Sequence, residues 1–354
     1  MTGLRTLVVG LGQMGLSHAL AYHRNPGFEI VGLVNRSPVE LPGELRHYPV
    51  LDGFDAGLAL KPELVSVNSY TDSHAAYAIA AMEAGAHVFV EKPLAPTLEG
   101  AERVVAVAQR TGRKLVVGYI LRHHPSWTEF IRRARELGPP FVMRMNLNQQ
   151  SSGSAWAVHK RLMESTSPVV DCGVHYLDVM LQITDSRPVQ VRGMGVRLSP
   201  EIAAGQVNYG HLQVLFEDGS IGWYEAGWGP MISETAFFVK DVMGPRGSVS
   251  IVMDEGAVAR AGASADVGTH TKTARIRLHS AETGPDGAFL AADELLSMAD
   301  EPGHQALCER EQAFVLDAVR NGRDLSRHMQ DAVRSLGVVL AADRSMRERR
   351  AIDL

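Results

Sequence analysis

The sequence predicts an α/β chain of two domains: a doubly wound parallel sheet, followed by an α+β domain on a large, mostly antiparallel open sheet. Three observations predict it. The first third alternates strand and helix patterns with short connections, and Gly10-Leu11-Gly12-Gln13-Met14-Gly15 stands directly after the first strand and opens the first helix. Beyond His123-His124-Pro125 the pattern changes to longer strands joined by turn residues, so the boundary is placed between 122 and 123.

In order, Thr6-Leu7-Val8-Val9 is the first strand, and a helix opens near Met14. Ile30 to Val34 follows as strand, then Leu64-Val65-Ser66-Val67 and Val88-Phe89-Val90, separated by an alanine-rich helix from Ala75 to Ala84 that Gly85 ends. Thr97 caps another helix, whose Val104, Val105, Val107 and Ala108 form an apolar face and which stops at Gly112, before Leu115-Val116-Val117. In residues 123–354, strands are predicted at Phe141 to Leu147, Val189 to Leu198, Leu212 to Phe216, Ser220 to Glu225, Ala236 to Val242 and Ser248 to Met253. Glu217-Asp218-Gly219 and Gly244-Pro245-Arg246-Gly247 read as hairpin turns. Gly256 to Gly303 carries mainly loop signals, and helices over His304 to Arg320 and Met329 to Met346 close the chain.

With 354 residues and 45% hydrophobic side chains, the chain can fill two cores. A net charge of -5 supplies no basic field for nucleic acid or anionic lipid, so a small molecule is the expected partner. Cys172 and Cys308 lie far apart, without metal-ligand spacing, which fits a reducing cytoplasm and no bound metal. No apolar run approaches the roughly 18–20 residues of a membrane helix.

The glycines of GxGxxG permit a tight turn and let backbone N–H groups approach a pyrophosphate at the positive end of a helix; a purely structural turn is the alternative. Gly10, Gly12, Gln13, Met14 and Gly15 are therefore cofactor candidates. Where the dinucleotide fingerprint expects an acidic residue for the ribose hydroxyls stand Asn35, Arg36 and Ser37. Losing the carboxylate removes repulsion against a 2′-phosphate, which a guanidinium and a hydroxyl can bind, so NADP is slightly favoured over NAD. "NRS" here also resembles the Asn-Arg-Ser/Thr of NADP-using hydroxyacid dehydrogenases. Glu91-Lys92-Pro93 ends a strand at its carboxyl end, where such sheets bind ligands. If Asp171 to Asp178 is helical, Asp171, His175 and Asp178 share a face, and an imidazole beside a carboxylate can take a hydroxyl proton. A capped structural helix with a satisfied histidine and a metal-binding pair without a recognisable third ligand are the alternative readings.

"GLGQMG", "VNSYTDSHAAYAIAAMEAGAHVFVEKPLA", "VGYILRHHP" and "DCGVHYLD", in that order and spacing, resemble the Gfo/Idh/MocA oxidoreductases, and the likeness extends to the closing "GRDLSRHMQDAVRSLGVVLAADRSM". The resemblance implies a Rossmann domain over 1–122 and a substrate-binding and oligomerisation domain over 123–354. It implies Lys92, Asp171 and His175 as the catalytic set, a cis peptide before Pro93, Glu91 reaching a cofactor ribose, and the turn Asn68 to His74, with Tyr70, beside the cofactor. Trp156 and Arg122 are expected near the substrate, with His159, Lys160 and Arg161 as further pocket candidates. Two departures stand out: Ser165-Thr166-Ser167-Pro168 replaces a glycine-rich run before the aspartate, and Ser69-Tyr70-Thr71 replaces a Thr-Pro turn.

The expected activity is oxidation or reduction of a secondary alcohol or ketone on a sugar, inositol or related polyol with NAD(P). Two alternatives stay open: transient oxidation with the cofactor recycled during elimination, epimerisation or glycoside cleavage, and a non-catalytic dinucleotide sensor. A homodimer or homotetramer through the second sheet is expected, with Trp223, Tyr224 and Trp228 as candidates for its outward face.

Overall fold

The computed structural model describes residues 3–233, 239–252 and 273–354. The chain forms two compact units: residues 3–123 with His304–Leu336, and, among the described residues, His124–Gly303 with Gly337–Leu354.

In the first unit β1 (Leu4–Val9), β2 (Phe28–Val34), β3 (Val50–Leu51), β4 (Leu64–Val67), β5 (His87–Val90) and β6 (Leu115–Val117) form a parallel sheet in the order β3-β2-β1-β4-β5-β6. β4 is buried at every position, as expected of a strand covered on both faces. Helices α1 (Gln13–Arg24), α2 (Phe54–Ala59), α3 (Thr71–Glu83) and α4 (Leu98–Thr111) connect the strands. Thr97 caps α4, its Oγ1 accepting from the Gly100 N–H at 3.1 Å, and Gly112 ends the helix at φ +65°. The strand order reverses between β1 and β4, the switch point outside whose carboxyl ends the ligand crevice of such sheets lies. The short β3 and α2 carry no pattern long enough to be read from sequence.

The sequence division gave all of 123–354 to the second domain. The structure instead returns His304–Leu336 to the first unit, because α9 (His304–Arg320) buries an apolar stripe on α1: Val315 and Ala318 join Ala19, Tyr22 and Phe28 in one core. The final helix, α10 (Ser326–Glu348), gives its first half to this unit, where Tyr119 Oη meets Ser335 Oγ at 2.8 Å.

Among the described residues the second unit has a nine-stranded sheet, ordered β14-β13-β12-β11-β7-β10-β9-β8-β15. Its strands are β7 (Val142–Gln150), β8 (Pro188–Val196), β9 (Tyr209–Phe216), β10 (Ile221–Gly229), β11 (Lys240–Gly244), β12 (Gly247–Val252), β13 (Arg275–Ser280), β14 (Glu294–Ser297) and β15 (Ile352–Asp353). Only β7 and β10 pair in parallel. Both predicted hairpin turns are present, joining β9 to β10 and β11 to β12. Parts of the predicted strands at Ala236 and Met253, and of the loop stretch from Gly256, lie outside the described residues. Helices α5 (Pro125–Glu136), α6 (Gly153–Leu162), α7 (Pro168–Asp171) and α8 (Gly173–Thr184) complete the unit. The expectation that Trp223, Tyr224 and Trp228 all project outward is corrected: side chains alternate along β10, so Tyr224 and Trp228 are buried and only Trp223 lies on the other face.

Three neutral imidazoles serve the first unit's backbone or interior. His328 Nε2 accepts the Val117 N–H at 2.8 Å and His87 Nδ1 that of Lys114 at 2.9 Å, and burial depresses the pKa of both. Burial, with Arg122 adding to it, lowers His123 from its ordinary 6.5 to about 4. Below pH 6.5 the unfolded chain takes up a proton that the folded His123 refuses, so its contribution is full above that pH and is lost as pH falls towards 4. The buried Glu311 carboxyl, pushed up by desolvation, works in the opposite sense, so a variant must be compared with the parent. His123→Gln is expected to flatten the pH dependence of urea-unfolding free energy between pH 7 and 4 by on the order of 3 kcal/mol. Equal slopes for parent and variant would show that His123 titrates alike folded and unfolded.

Candidate active site

The glycine turn is dictated by backbone contact. Gly10 sits at φ +86°, and a Cβ there would fall 2.6 Å from the backbone of Asn68, where β4 ends. A Cβ on Gly15 would fall 1.9 Å from the Gly10 carbonyl oxygen. Gly12 differs: it is exposed, has an ordinary φ of -69°, and a Cβ there meets nothing within 4 Å. The open space lies over the start of α1, which has neither a capping side chain nor an acidic residue in its first turn. Gln13 and Met14 thus present backbone N–H groups at the positive end of a helix dipole, a cradle that fits a pyrophosphate.

Asn35 is committed to the turn: its Oδ1 accepts the Leu11 N–H at 2.9 Å and its Nδ2 donates to the Ser37 carbonyl at 2.7 Å. Arg36 and Ser37 are exposed, and the Arg36 guanidinium carbon lies 5.9 Å from the centre of the exposed Tyr70 ring. Asn68 is buried, its Nδ2 bonded to Ser66 Oγ at 3.0 Å. His74, expected beside the cofactor, is instead buried, with Nδ1 2.7 Å from the Pro93 carbonyl and Nε2 2.9 Å from that of Ser69. It ties the loop after β4 to the loop after β5. The Lys92-Pro93 peptide is cis, and Lys92 is partly exposed at the end of β5. Glu91, expected at a ribose, is turned inward onto His18. Arg122 pairs with the buried Asp331 at 2.9 Å, which also accepts from Arg327, so its guanidinium is held by α10.

In the second unit Ser167 caps α7, its Oγ accepting the Val170 N–H at 3.3 Å, and Pro168 occupies the first turn. The serine-proline run that replaces the glycine-rich segment is thereby accounted for locally as a helix start. Asp171 and His175 flank Cys172, at which the His175 N–H tightens to an i−3 bond, and both remain partly exposed. Asp178 does not share that accessibility; it is fully buried and accepts from Gln182 Nε2 at 3.0 Å. Around Asp171 the sheet supplies groups the sequence reading passed over. Cys172 Sγ lies 3.7 Å from Asp171 Oδ2 and 3.5 Å from Gln149 Oε1, which also accepts from Trp228 Nε1 at 2.5 Å. The Trp228 ring stacks on His159 at 4.5 Å. Gln149 and Trp228 end adjacent strands 79 positions apart, so only the β7–β10 register could have revealed them. Trp156 is buried beneath Lys160, whose Nζ pairs with Glu201 at 2.6 Å. Lys240, also missed, is buried with its pKa drawn down to about 7 by desolvation, and donates to the Asn146 carbonyl at 2.5 Å.

Two domain models match in tandem: the oxidoreductase family with an NAD-binding Rossmann fold over residues 4–119, and the GFO/IDH/MocA C-terminal domain over 131–259. The chain belongs to the Gfo/Idh/MocA oxidoreductase family. Among curated relatives, UDP-N-acetylglucosamine 3-dehydrogenase of Acidithiobacillus ferrooxidans is 30% identical over 55% of this chain and 59% of its own length. The NAD(+)-linked scyllo-inositol 2-dehydrogenase of Bacillus subtilis is 28% identical over 70% of this chain and 73% of its own. The chain thus spans less than two thirds of the former's length. In fold, an oxidoreductase domain protein from Kribbella flavida superposes with a TM-score of 0.80 at 20% identity, covering 100% of this chain and 99% of that one. No helix among the described residues is long and apolar enough to cross a membrane.

Gly12→Ala separates a cofactor cradle from a structural turn. The variant is expected to melt within a few degrees of the parent yet bind NAD(P)H at least tenfold more weakly in a fluorescence titration, whereas Gly15→Ala should also lose stability. Unchanged binding by Gly12→Ala would remove the pyrophosphate from this turn.

Proposed function

We propose that this protein is an NAD(P)-dependent dehydrogenase or reductase acting on a secondary alcohol or ketone of a sugar, inositol or related polyol. The observation that carries the reading is the first unit's crevice, where the Gly12 cradle, the Ser69 turn and the Lys92-Pro93 peptide are joined through Gly10, Asn68 and His74. Family membership and the named activities of the relatives support the same chemistry. Gly10, Gly12, Gln13, Met14 and Gly15 would hold the pyrophosphate, and the bound nicotinamide would supply the hydride acceptor or donor. Lys92 donates a hydrogen bond to the reacting oxygen and stabilises negative charge on it. His175 accepts that oxygen's proton, and Asp171 orients neighbouring hydroxyls. Asn35 has its amide engaged by the turn, so the ribose 2′ position falls to Arg36 and Ser37, which favours NADP slightly.

The test is a reduced-nicotinamide absorbance assay over sugars, inositols and sugar acids, with NAD and NADP in parallel. One polyol is expected to give net reduction, and Lys92→Met and His175→Ala are each expected to lose about a hundred- to ten-thousandfold in kcat/KM. Arg36→Ala should lower the NADP-to-NAD ratio of kcat/KM. Tight cofactor binding without net reduction would favour transient redox chemistry; full turnover by either catalytic variant would refute the assignment.

We also infer a homo-oligomer in which the open face of the second sheet packs on a second copy. Leu215 and Ile221 are 41% and 48% exposed there, beside half-buried Trp223 and the Arg144–Asp241 pair. Trp223→Glu with Leu215→Glu is expected to halve the mass seen by light scattering; an unchanged mass would exclude this face.

A further inference from the structure

Glu91, next to Lys92 in sequence, is only 7% exposed, and a line of hydrogen bonds leads from its carboxylate into the domain. Its Oε2 accepts the Lys92 backbone N–H at 3.1 Å, and its Oε1 lies 2.8 Å from His18 Nε2. The His18 ring is fully buried, edge-on to Phe89 at 4.7 Å, with Nδ1 2.9 Å from Gln312 Nε2. Gln312 Oε1 accepts from the buried Tyr22 hydroxyl at 2.7 Å. An amide has one donating and one accepting end, so each of the three bonds in the series Tyr22 to Gln312 to His18 to Glu91 has a donor and an acceptor when His18 is neutral and carries its hydrogen on Nε2.

We propose that Tyr22, Gln312 and His18 form a buried positioning network that fixes Glu91 and, through the Lys92 amide, the backbone presenting the Lys92 side chain, so that Glu91 acts as a strut and not as a ribose ligand. The inference rests on the catalytic reading of Lys92. Gly118 makes room for the strut, since a Cβ there would come within 3.2 Å of Glu91 Cδ and Oε2. Other titratable groups facing it are Cys308 and Glu311 of α9 and His74 of α3. Glu311 is fully buried and neither of its oxygens is hydrogen-bonded, and desolvation together with Glu91 drives its carboxyl towards the neutral form, which spares the cluster a second negative charge. The network unites α1, β5 and α9, three elements of the first unit separated by up to 294 positions.

The test compares Glu91→Gln, Gln312→Leu, His18→Leu and His18→Gln in the full-length protein. The first three are expected to lower kcat at least tenfold while the NAD(P)H dissociation constant stays within twofold. His18→Gln, which restores an N–H for Glu91, should recover most of the loss; Tyr22→Phe, which removes only a hydroxyl, serves if the larger changes melt the fold. A tenfold weakening of cofactor binding in Glu91→Gln would restore the ribose role and overturn the proposal, as would full kcat in Gln312→Leu. If the parent turns over no polyol, the dehydrogenase reading fails separately, and the network is then read by ¹⁵N NMR. His18 is expected as the neutral Nε2–H tautomer with an Nδ1 shift that moves in Gln312→Leu; an imidazolium, or a shift indifferent to position 312, would overturn it.

Discussion

Close approach of two backbones governs the first unit's crevice. Gly10 can press on Asn68 only because it has no side chain and tolerates a positive φ, and Gly15 can press on Gly10 for the first of those reasons. This brings the ends of β1 and β4 and the start of α1 together, leaving the turn's middle glycine, Gly12, exposed with clear space around it. His74 extends the constraint to β5 by holding carbonyls of both following loops. Cofactor cradle and Lys92 therefore share one scaffold within the unit, and displacing either loop would be felt by the other.

The interior polar groups follow from what burial demands. A buried donor or acceptor left unpaired costs about 1–3 kcal/mol, so a polar chain inside a core persists where each member satisfies the next. Tyr22, Gln312, His18 and Glu91 meet that condition, and their rigidity is a consequence of it: no member can rotate without orphaning its neighbour. Asp331 meets it differently, by taking Arg122 and Arg327 on separate oxygens. Arg122 illustrates how a basic residue close to a functional motif can be absorbed by such pairing.

Local pattern carried the sequence reading where structure is locally determined. Alternating βα periodicity and the glycine turn located the parallel sheet, Thr97 and Gly112 bounded α4, and the hairpin turns placed β9 against β10 and β11 against β12. The motifs that carry Lys92, Asp171 and His175 are compact, and the structure leaves all three side chains partly exposed. What was illegible depends on pairing across long sequence distances. Nothing near His304 says that α9 will cover α1, and Gln312 shows no sign of reaching His18 294 positions away. Trp228 lies beyond the predicted strand end at Glu225; the extension to Gly229 places it two residues from Ala226 on the buried face. The resemblance implies Glu91 at a cofactor ribose, while its side chain lies in space that Gly118, at the neighbouring strand's exit, leaves open.

Neutralisation of buried ionisable groups also shapes the electrostatics of the first unit. Burial disfavours the charged forms of His123, His328 and Glu311, three groups that would otherwise add fields of both signs to a poorly screened interior. His123 Nε2 and Glu311 Oε1 lie 4.0 Å apart, yet burial pushes the imidazole down and the carboxyl up, which makes them neighbours in a dry pocket instead of an ion pair. The desolvation cost of charging both would exceed what their attraction at that distance and geometry returns. With those groups silent, the α1 dipole and the partly exposed Lys92 favour negative charge at the crevice, while the Glu91 carboxylate is turned inward onto His18. That sign suits the dinucleotide phosphate and the reacting oxygen proposed for the crevice.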